Sequence, residues 1–238
     1  MIQPQDLINK CEYALKEAWG YIWGTAGEKW TAAKQADLEK TTDKDREQGR
    51  KYGSKWIGHI VADCSGLFSW AFKQLGGYMY HGSNTMYLKY CTDKGQLHAG
   101  KRTDGKELKA GTAVFKWNGS TYSHVGLYIG DGEVIEAAST TQGVIKGKAT
   151  DSKWTHWGEL TGVNYSGKEP EPEKDEAVVT GKNVALRTGP GTQYKIIERI
   201  PTGRTVKVLD NGWTYVEHGG NKGFMMDEYI RKGEDNAK

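Results

Sequence analysis

Val61-Ala62-Asp63-Cys64-Ser65-Gly66-Leu67-Phe68-Ser69-Trp70-Ala71-Phe72 is the stretch on which the reading of this chain turns. Leu67, Phe68, Ala71, Phe72 and Leu75 recur at the three- and four-residue steps of a helix face. Gly76-Gly77 ends the pattern, as glycine does just past a helix. Asp63 is placed as the N-cap. Cys64 therefore falls in the first turn of a helix whose body is buried. Unpaired N–H groups and a partial positive charge gather at a helix N-terminus, and both favour thiolate over thiol. The spacing predicts a nucleophile of lowered pKa, and a buried structural cysteine fits the same spacing.

Upstream, residues 6–19 have the pattern of an amphipathic helix, with Leu7, Ile8, Cys11, Ala14, Leu15, Ala18 and Trp19 on one face. Cys11 lies in that stripe and reads as core packing. Gly20-Tyr21-Ile22-Trp23-Gly24 is a short extended segment between glycines. Residues 28–51 are polar, with Trp30 and Leu38 as their few large apolar side chains. Thr31 to Lys40 fits a helix. The rest, to Lys51, reads as a solvated excursion or as a lid over a neighbouring cleft.

Downstream, Tyr78 to Asn84 is a turn-rich loop and Thr85 to Cys91 a short helix, with Cys91 structural. Leu108 to Trp117 reads as a turn and a strand, and strands are expected at Tyr122 to Ile129 and Glu133 to Ala138, joined by the tight turn Gly130-Asp131-Gly132. Gly143 to Lys146 adds a short strand, Trp154 to Trp157 an aromatic patch, and Val163-Asn164-Tyr165 a last edge. At residues 168–176 the composition shifts to Pro and charge, which marks a linker. Residues 177–238 hold short strands closely spaced by Gly-rich turns, the pattern of a small all-β barrel or sandwich. The domains are read as 1–167, a linker at 168–176, and 177–238.

The 238 residues are 37% hydrophobic and 26% charged with formal net charge +3, an ordinary globular composition. That charge is too weak to argue for nucleic acid and is compatible with an anionic polymer such as a cell wall. No run approaches a membrane span. Met1 to Asp6 lacks a basic patch followed by an apolar core, so no signal peptide is visible. Three cysteines with no close spacing argue against a disulfide framework and against a zinc site, and no metal or cofactor is expected.

Amide attack by a thiol needs a base, a group that orients the base, and an oxyanion site. Among six histidines His124 is best placed, because it begins the strand His124-Val125-Gly126-Leu127-Tyr128-Ile129. A tight turn at Gly130 to Gly132 pairs residue i with about 261 − i, which puts Glu136 within reach of His124 if a bulge is allowed. A carboxylate there can hold one imidazole nitrogen and turn the other towards Cys64.

Asp63-Cys64-Ser65-Gly66-Leu67, Ser123-His124-Val125-Gly126-Leu127-Tyr128-Ile129-Gly130-Asp131-Gly132 and Val134-Ile135-Glu136-Ala137, in this order, resemble the NlpC/p60 family of cell-wall cysteine peptidases. Tyr21-Ile22-Trp23-Gly24 resembles that family's aromatic segment upstream of the cysteine. The resemblance covers residues 6–165. It implies an α+β, papain-like fold with N-terminal helices packed on an antiparallel sheet. It implies cleavage of peptidoglycan stem peptides, commonly between D-glutamate and a diamino acid. By position it makes Cys64 the nucleophile, His124 the general base and Glu136 the orienting residue, a place where many members carry histidine. Tyr21, Asp63 and Ser65 match positions that in some members bind the free amine of a stem peptide. Against the shorter family spacing, residues 25–60 form an insertion before Cys64 and are the expected determinant of specificity.

Val184-Ala185-Leu186-Arg187-Thr188-Gly189-Pro190-Gly191 resembles the opening of a bacterial SH3 domain, and Gly212 to Val216 and Gly223-Phe224-Met225 resemble its later strands. Such a domain implies binding to the wall polymer. The resulting expectation is a peptidoglycan hydrolase acting at the bacterial cell wall, secreted or released as a phage or prophage lysin. An amidase or transpeptidase on the same scaffold, and a non-catalytic wall-binding protein, are the competing expectations.

Overall fold

Helix α4, Cys64–Gln74, is the centre of the first unit. Its N-cap Asp63 accepts hydrogen bonds from the N–H groups of Ser65 and Gly66, and Gly76 beyond its end is left-handed at φ 73°. Leu67, Phe68, Ala71 and Phe72 are buried to 1% exposure or less. Burial of each large apolar side chain stabilises by about 1.5–3 kcal/mol. In the computed structural model, which describes residues 1–166, 176–210 and 213–232, the chain divides into two compact units, Met1–Ser166 and Gly167–Lys238. The linker expected at 168–176 lies outside the described residues except for Glu176, as do the turn residues Asn211 and Gly212.

The first unit opens with α1, Pro4–Lys16, which has proline in its first turn and buries Leu7, Ile8, Cys11 and Ala14. Then come β1 (Ala26–Lys29), α2 (Ala32–Glu39), α3 (Glu47–Tyr52), β2 (Ile60–Ala62), α4 and α5 (Ser83–Lys89). The remaining strands are β3 (Cys91–His98), β4 (Lys101–Arg102), β5 (Ala113–Trp117), β6 (Tyr122–Gly130), β7 (Glu133–Ser139), β8 (Gly143–Lys148) and β9 (His156–Leu160). They form a seven-stranded antiparallel sheet in the order β4-β3-β9-β5-β6-β7-β8. One face carries Phe115, Val125, Leu127, Ile135 and Ala137 against α1 and α4. The other carries Val114, Val134, Trp154 and Trp157.

Several elements differ from expectation. The aromatic patch at 154–157 leads into β9, which lies between β3 and β5. Strand β3 begins at Cys91, where the sequence suggested the end of a helix. Val163 makes only an isolated parallel bridge to Ile2 and no edge strand. Residues 41–51 are mostly exposed, as a solvated stretch would be, but Trp30 and Leu38 before them are buried. Ile22, Trp30, Leu38, Trp56 and Val61 converge into a small core of their own. The segment is anchored by β1–β2 pairing and by Trp56 Nε1 donating to the Thr140 carbonyl at 2.6 Å. A few large side chains suffice because they converge from separate stretches of the chain.

The second unit is all β: β10 (Glu176–Val179), β11 (Val184–Arg187), β12 (Ile196–Ile200), β13 (Thr205–Asp210), β14 (Thr214–His218), β15 (Asn221–Met225) and β16 (Ile230–Lys232). They form one antiparallel sheet ordered β12-β11-β15-β14-β13-β10-β16 around Ala177, Val179, Leu186, Ile200, Val206, Val216 and Met225. The fold is thus α+β with an SH3-like β domain at its C-terminal end.

A methyl group on Gly66 would collide with the backbone carbonyl of Thr25, which cannot rotate away. Gly66→Ala is expected to cost at least about 2 kcal/mol. A thermal melt should show a Tm lower by roughly 4–8 °C, and an unchanged Tm would refute the contact.

Candidate active site

Cys64 is 7% exposed and lies at the head of α4. It borders a cleft of about 330 Å³ together with Tyr21, Trp23, Asp63, Ser65 and His81. The backbone N–H groups of Val125, Ser65 and Cys64 itself act on the sulfur and favour its charged form. They do not prevail. Burial first, and the neighbouring Asp63 carboxylate second, push the thiol up to about 12. This corrects the expectation of a lowered pKa: the helix terminus supplies the N–H groups, but water is excluded and an anion sits next door.

The Asp63 carboxylate is 5% exposed and densely bonded. Oδ1 accepts from Ser65 N–H at 3.0 Å, Ser65 Oγ–H at 3.1 Å and Gly66 N–H at 2.7 Å. Oδ2 accepts from Gly24 N–H at 2.8 Å and lies 2.7 Å from His81 Nε2. Burial works to protonate it. The His81 hydrogen bond and charge and the Gly66 and Gly24 N–H groups outweigh that and hold it below the usual carboxylate range. His81 is correspondingly raised, by its bond to Asp63 against partial burial. Tyr21 borders the same cleft, and burial first, then Cys64 and Asp63, raise its phenol. Ser65 is 4% exposed and its hydroxyl is committed to Asp63.

His124 and Glu136 are bonded to each other, Nε2 to Oε2 at 2.7 Å. The register Leu127↔Ile135 sets Glu136 level with Gly126, two residues beyond His124 on the same face. That face points away from the core under α4. A side chain at 126 would meet Val134 at 2.7 Å and Trp154 at 2.8 Å, so glycine there lets the Trp154 indole lie close. Trp154 stacks on the His124 imidazole at 5.7 Å with planes 14° apart. Glu136 is 2% exposed and receives a second cation, Lys153 Nζ at 2.6 Å from Oε1. Burial alone would raise Glu136, but the His124 and Lys153 bonds and charges lower it, so it stays ionised.

The structure therefore brings Tyr21, Asp63, Cys64 and Ser65 to one cleft and joins His124 to Glu136. His124's neighbours in the strand connect the two groups, Ser123 bordering the cleft and Val125 N–H acting on the sulfur. Sequence reading missed His81 and Lys153, 18 and 17 residues from their carboxylates with no periodicity to link them. Among the described residues no group of three or more His, Cys, Asp or Glu side chains could hold a metal ion.

With the thiol near 12, iodoacetamide should alkylate Cys64 slowly at neutrality, the rate rising about tenfold per pH unit from about pH 7 to 10. A flat rate across that range would reveal a preformed thiolate instead. Lys153→Met should destabilise by about 1–3 kcal/mol at neutral pH, because Glu136 loses a buried partner. The native Glu136 contribution is in place above its ordinary value of 4.5 and is lost as pH falls through the lower folded value. Urea unfolding at neutrality and near pH 3 should therefore show the penalty shrinking in acid, and a penalty independent of pH would overturn the pairing.

Residues 30–161 match the NlpC/P60 family and residues 182–231 the bacterial SH3 domain. A probable endopeptidase of Corynebacterium glutamicum is 34% identical over 93 residues, 39% of this chain and 39% of that protein. A putative N-acetylmuramoyl-L-alanine amidase of Bacillus subtilis is 31% identical over 76 residues, 31% of this chain and 15% of that protein. The chain thus spans well under half the length of these curated relatives. Among solved structures, the peptidoglycan hydrolase RipB of Mycobacterium tuberculosis is 19% identical, covering 66% of this chain and 64% of that one with a TM-score of 0.43. Since the first of these matches takes in more than half of its residues, the chain belongs to the NlpC/P60 family and carries a bacterial SH3 domain behind the family's domain.

Proposed function

We propose that this chain is a peptidoglycan hydrolase in which Cys64 attacks an amide carbonyl of a stem peptide, His124 moves the proton and Glu136 holds the imidazole. The observation that carries this reading is the placement of Cys64. It stands at the head of a buried helix, in a cleft, with the N–H of the residue after His124 on its sulfur. Because the thiol is pushed up to about 12, its proton passes to His124 as the sulfur–carbon bond forms, not before. The oxyanion is met by the Cys64 N–H at the start of α4. His124 gives the proton to the departing amine, and water releases the acyl group. Ionised Glu136 stabilises the imidazolium that forms between these steps. Tyr21 is the substrate contact of this cleft, while Asp63 and Ser65 shape its wall with their polar atoms spent on each other and on His81.

The bond cleaved is taken to be that between D-glutamate and a diamino acid, and the action extracytoplasmic, after secretion or phage-type release. The SH3 domain holds the enzyme on the wall and so raises its local concentration. It has a cavity of about 300 Å³ lined by Lys182, Arg187, Arg199, Trp213 and Tyr229, cationic and aromatic groups suited to anionic wall chains.

Mass spectrometry of walls digested with the purified chain tests this. A new amino terminus on the diamino acid supports it, stems released whole from sugar would make the enzyme an amidase, and no product would leave a binding protein. Cys64→Ala should abolish products and keep sedimentation with walls. Glu136→Gln should lower kcat by about 10²–10⁴-fold.

A further inference from the structure

A second cavity of about 360 Å³ adjoins the Cys64 cleft and plays no part in the chemistry above. It is built by the 25–60 segment and shares two residues with the cleft, Trp23 and Gly24. Its floor is apolar, made by Ile22, Trp30 and Leu38, all at most 5% exposed. The Trp23 indole stands at the junction and is 42% exposed, unusual for so large an apolar group. Around the rim are Glu28, Lys34, Asp37 and Arg46.

The rim charges are already paired. Lys34 meets Glu28 at 2.7 Å, Asp37 meets Lys40 at 2.8 Å, and Arg46 meets Asp43 at 3.8 Å while lying 5.6 Å from the Trp23 ring centre. A charged ligand would find no uncompensated counter-charge and would lose its own hydration. A neutral ligand rich in donors and acceptors loses less and can bond to both signs of rim group. The negative face of an indole attracts the partly positive C–H edge of a ring laid against it. The cavity lies near the lower end of the range for small-ligand sites, about 300–1,000 Å³. It has room for a ring rather than a chain. Because Trp23 and Gly24 line both this cavity and the Cys64 cleft, one polymer can reach across both.

We propose that this cavity is a sugar subsite, taking an N-acetylated amino-sugar ring of the glycan strand beside the stem peptide held at Cys64. The proposal rests on the peptidoglycan reading above. In it the 25–60 segment selects stems still attached to glycan over free peptides.

The test is calorimetric titration of the full chain carrying Cys64→Ala with three ligands: a free stem peptide, the same stem on its disaccharide, and the disaccharide alone. The disaccharide-bearing stem should bind about tenfold tighter than the free one, and the disaccharide alone should bind measurably. Asp37→Ala and Glu28→Gln, added singly, should cut that advantage below about threefold with free-stem affinity unchanged. Both are exposed or half-exposed, and melting curves matching the parent show that the fold is kept. Equal affinity for the two stems overturns the sugar subsite, as does equal weakening of both by the variants, which would assign the cavity to peptide. If neither stem binds, the peptidoglycan reading fails, and the disaccharide alone still decides the subsite: binding lost in both variants upholds it, and no binding overturns it.

Discussion

Around one buried carboxylate, that of Asp63, five donors converge: the Gly24, Ser65 and Gly66 N–H groups, the Ser65 hydroxyl and His81. They come from three parts of the chain. Gly24 follows the aromatic segment with Tyr21, Ser65 and Gly66 open α4, and His81 lies in the loop before α5. An ordinary N-cap is worth about 1 kcal/mol to its helix. This one also fixes where Tyr21, Cys64 and His81 stand relative to each other. An uncompensated charge at 5% exposure would be expelled or neutralised. Asp63 remains ionised because its acceptor sites are filled, and the same filling makes it a rigid wall of the cleft.

That rigidity has an electrostatic consequence for the sulfur. A fixed anion in the preceding residue and the exclusion of water both raise the thiol, and together they prevail over three N–H groups. Forming a free thiolate at neutral pH from a pKa near 12 costs roughly 7 kcal/mol. In the proposed reaction the proton must therefore go to a base during attack. In that proposed reaction the His124 imidazolium, held by Glu136, is the cation beside which the sulfur bears charge. Lys153 tempers the arrangement, because the Glu136 charge is shared between an ammonium and an imidazole.

What could be read from sequence was local. The helix at Cys64 carries its apolar period, its cap and its terminating glycine within fourteen consecutive residues, 63–76. The β6–β7 hairpin carries its turn. Pairing at the turn brought Glu136 near His124, although the register places it diagonally, past a bare Gly126. The features that escaped have no local period. Strand β3 reads Cys-Thr-Asp-Lys-Gly-Gln-Leu-His, with Leu97 alone buried, and exists because β9 pairs with it. The 25–60 segment has too few apolar residues per window to announce a core, and its core is completed by Ile22 and Val61 from outside it. The thiol pKa was misjudged for a related reason: the helix end is visible in sequence, whereas burial is a property of the assembled fold.

The structure holds two histidine–carboxylate pairs, Asp63–His81 at the Cys64 cleft and Glu136–His124 on the strand pair β6–β7, and their surroundings differ. Asp63 is committed to four donors besides His81, so little of its charge is left to respond to a proton arriving on His81, and it cannot move without uncapping α4. Among the described residues Glu136 is bonded to the His124 imidazole and the Lys153 ammonium, and the strand carrying His124 supplies the Val125 N–H at the sulfur. A base must gain and lose a proton at each turnover with its orienting group unmoved. In the proposed reaction His124 answers that demand with a carboxylate it shares with Lys153. His81, 33% exposed at the side chain on the cleft wall, belongs to the apparatus that positions Cys64. Asp63 is thus locked by the cap of α4, whereas in the proposed reaction Glu136 is the carboxylate whose charge answers a proton on the imidazole.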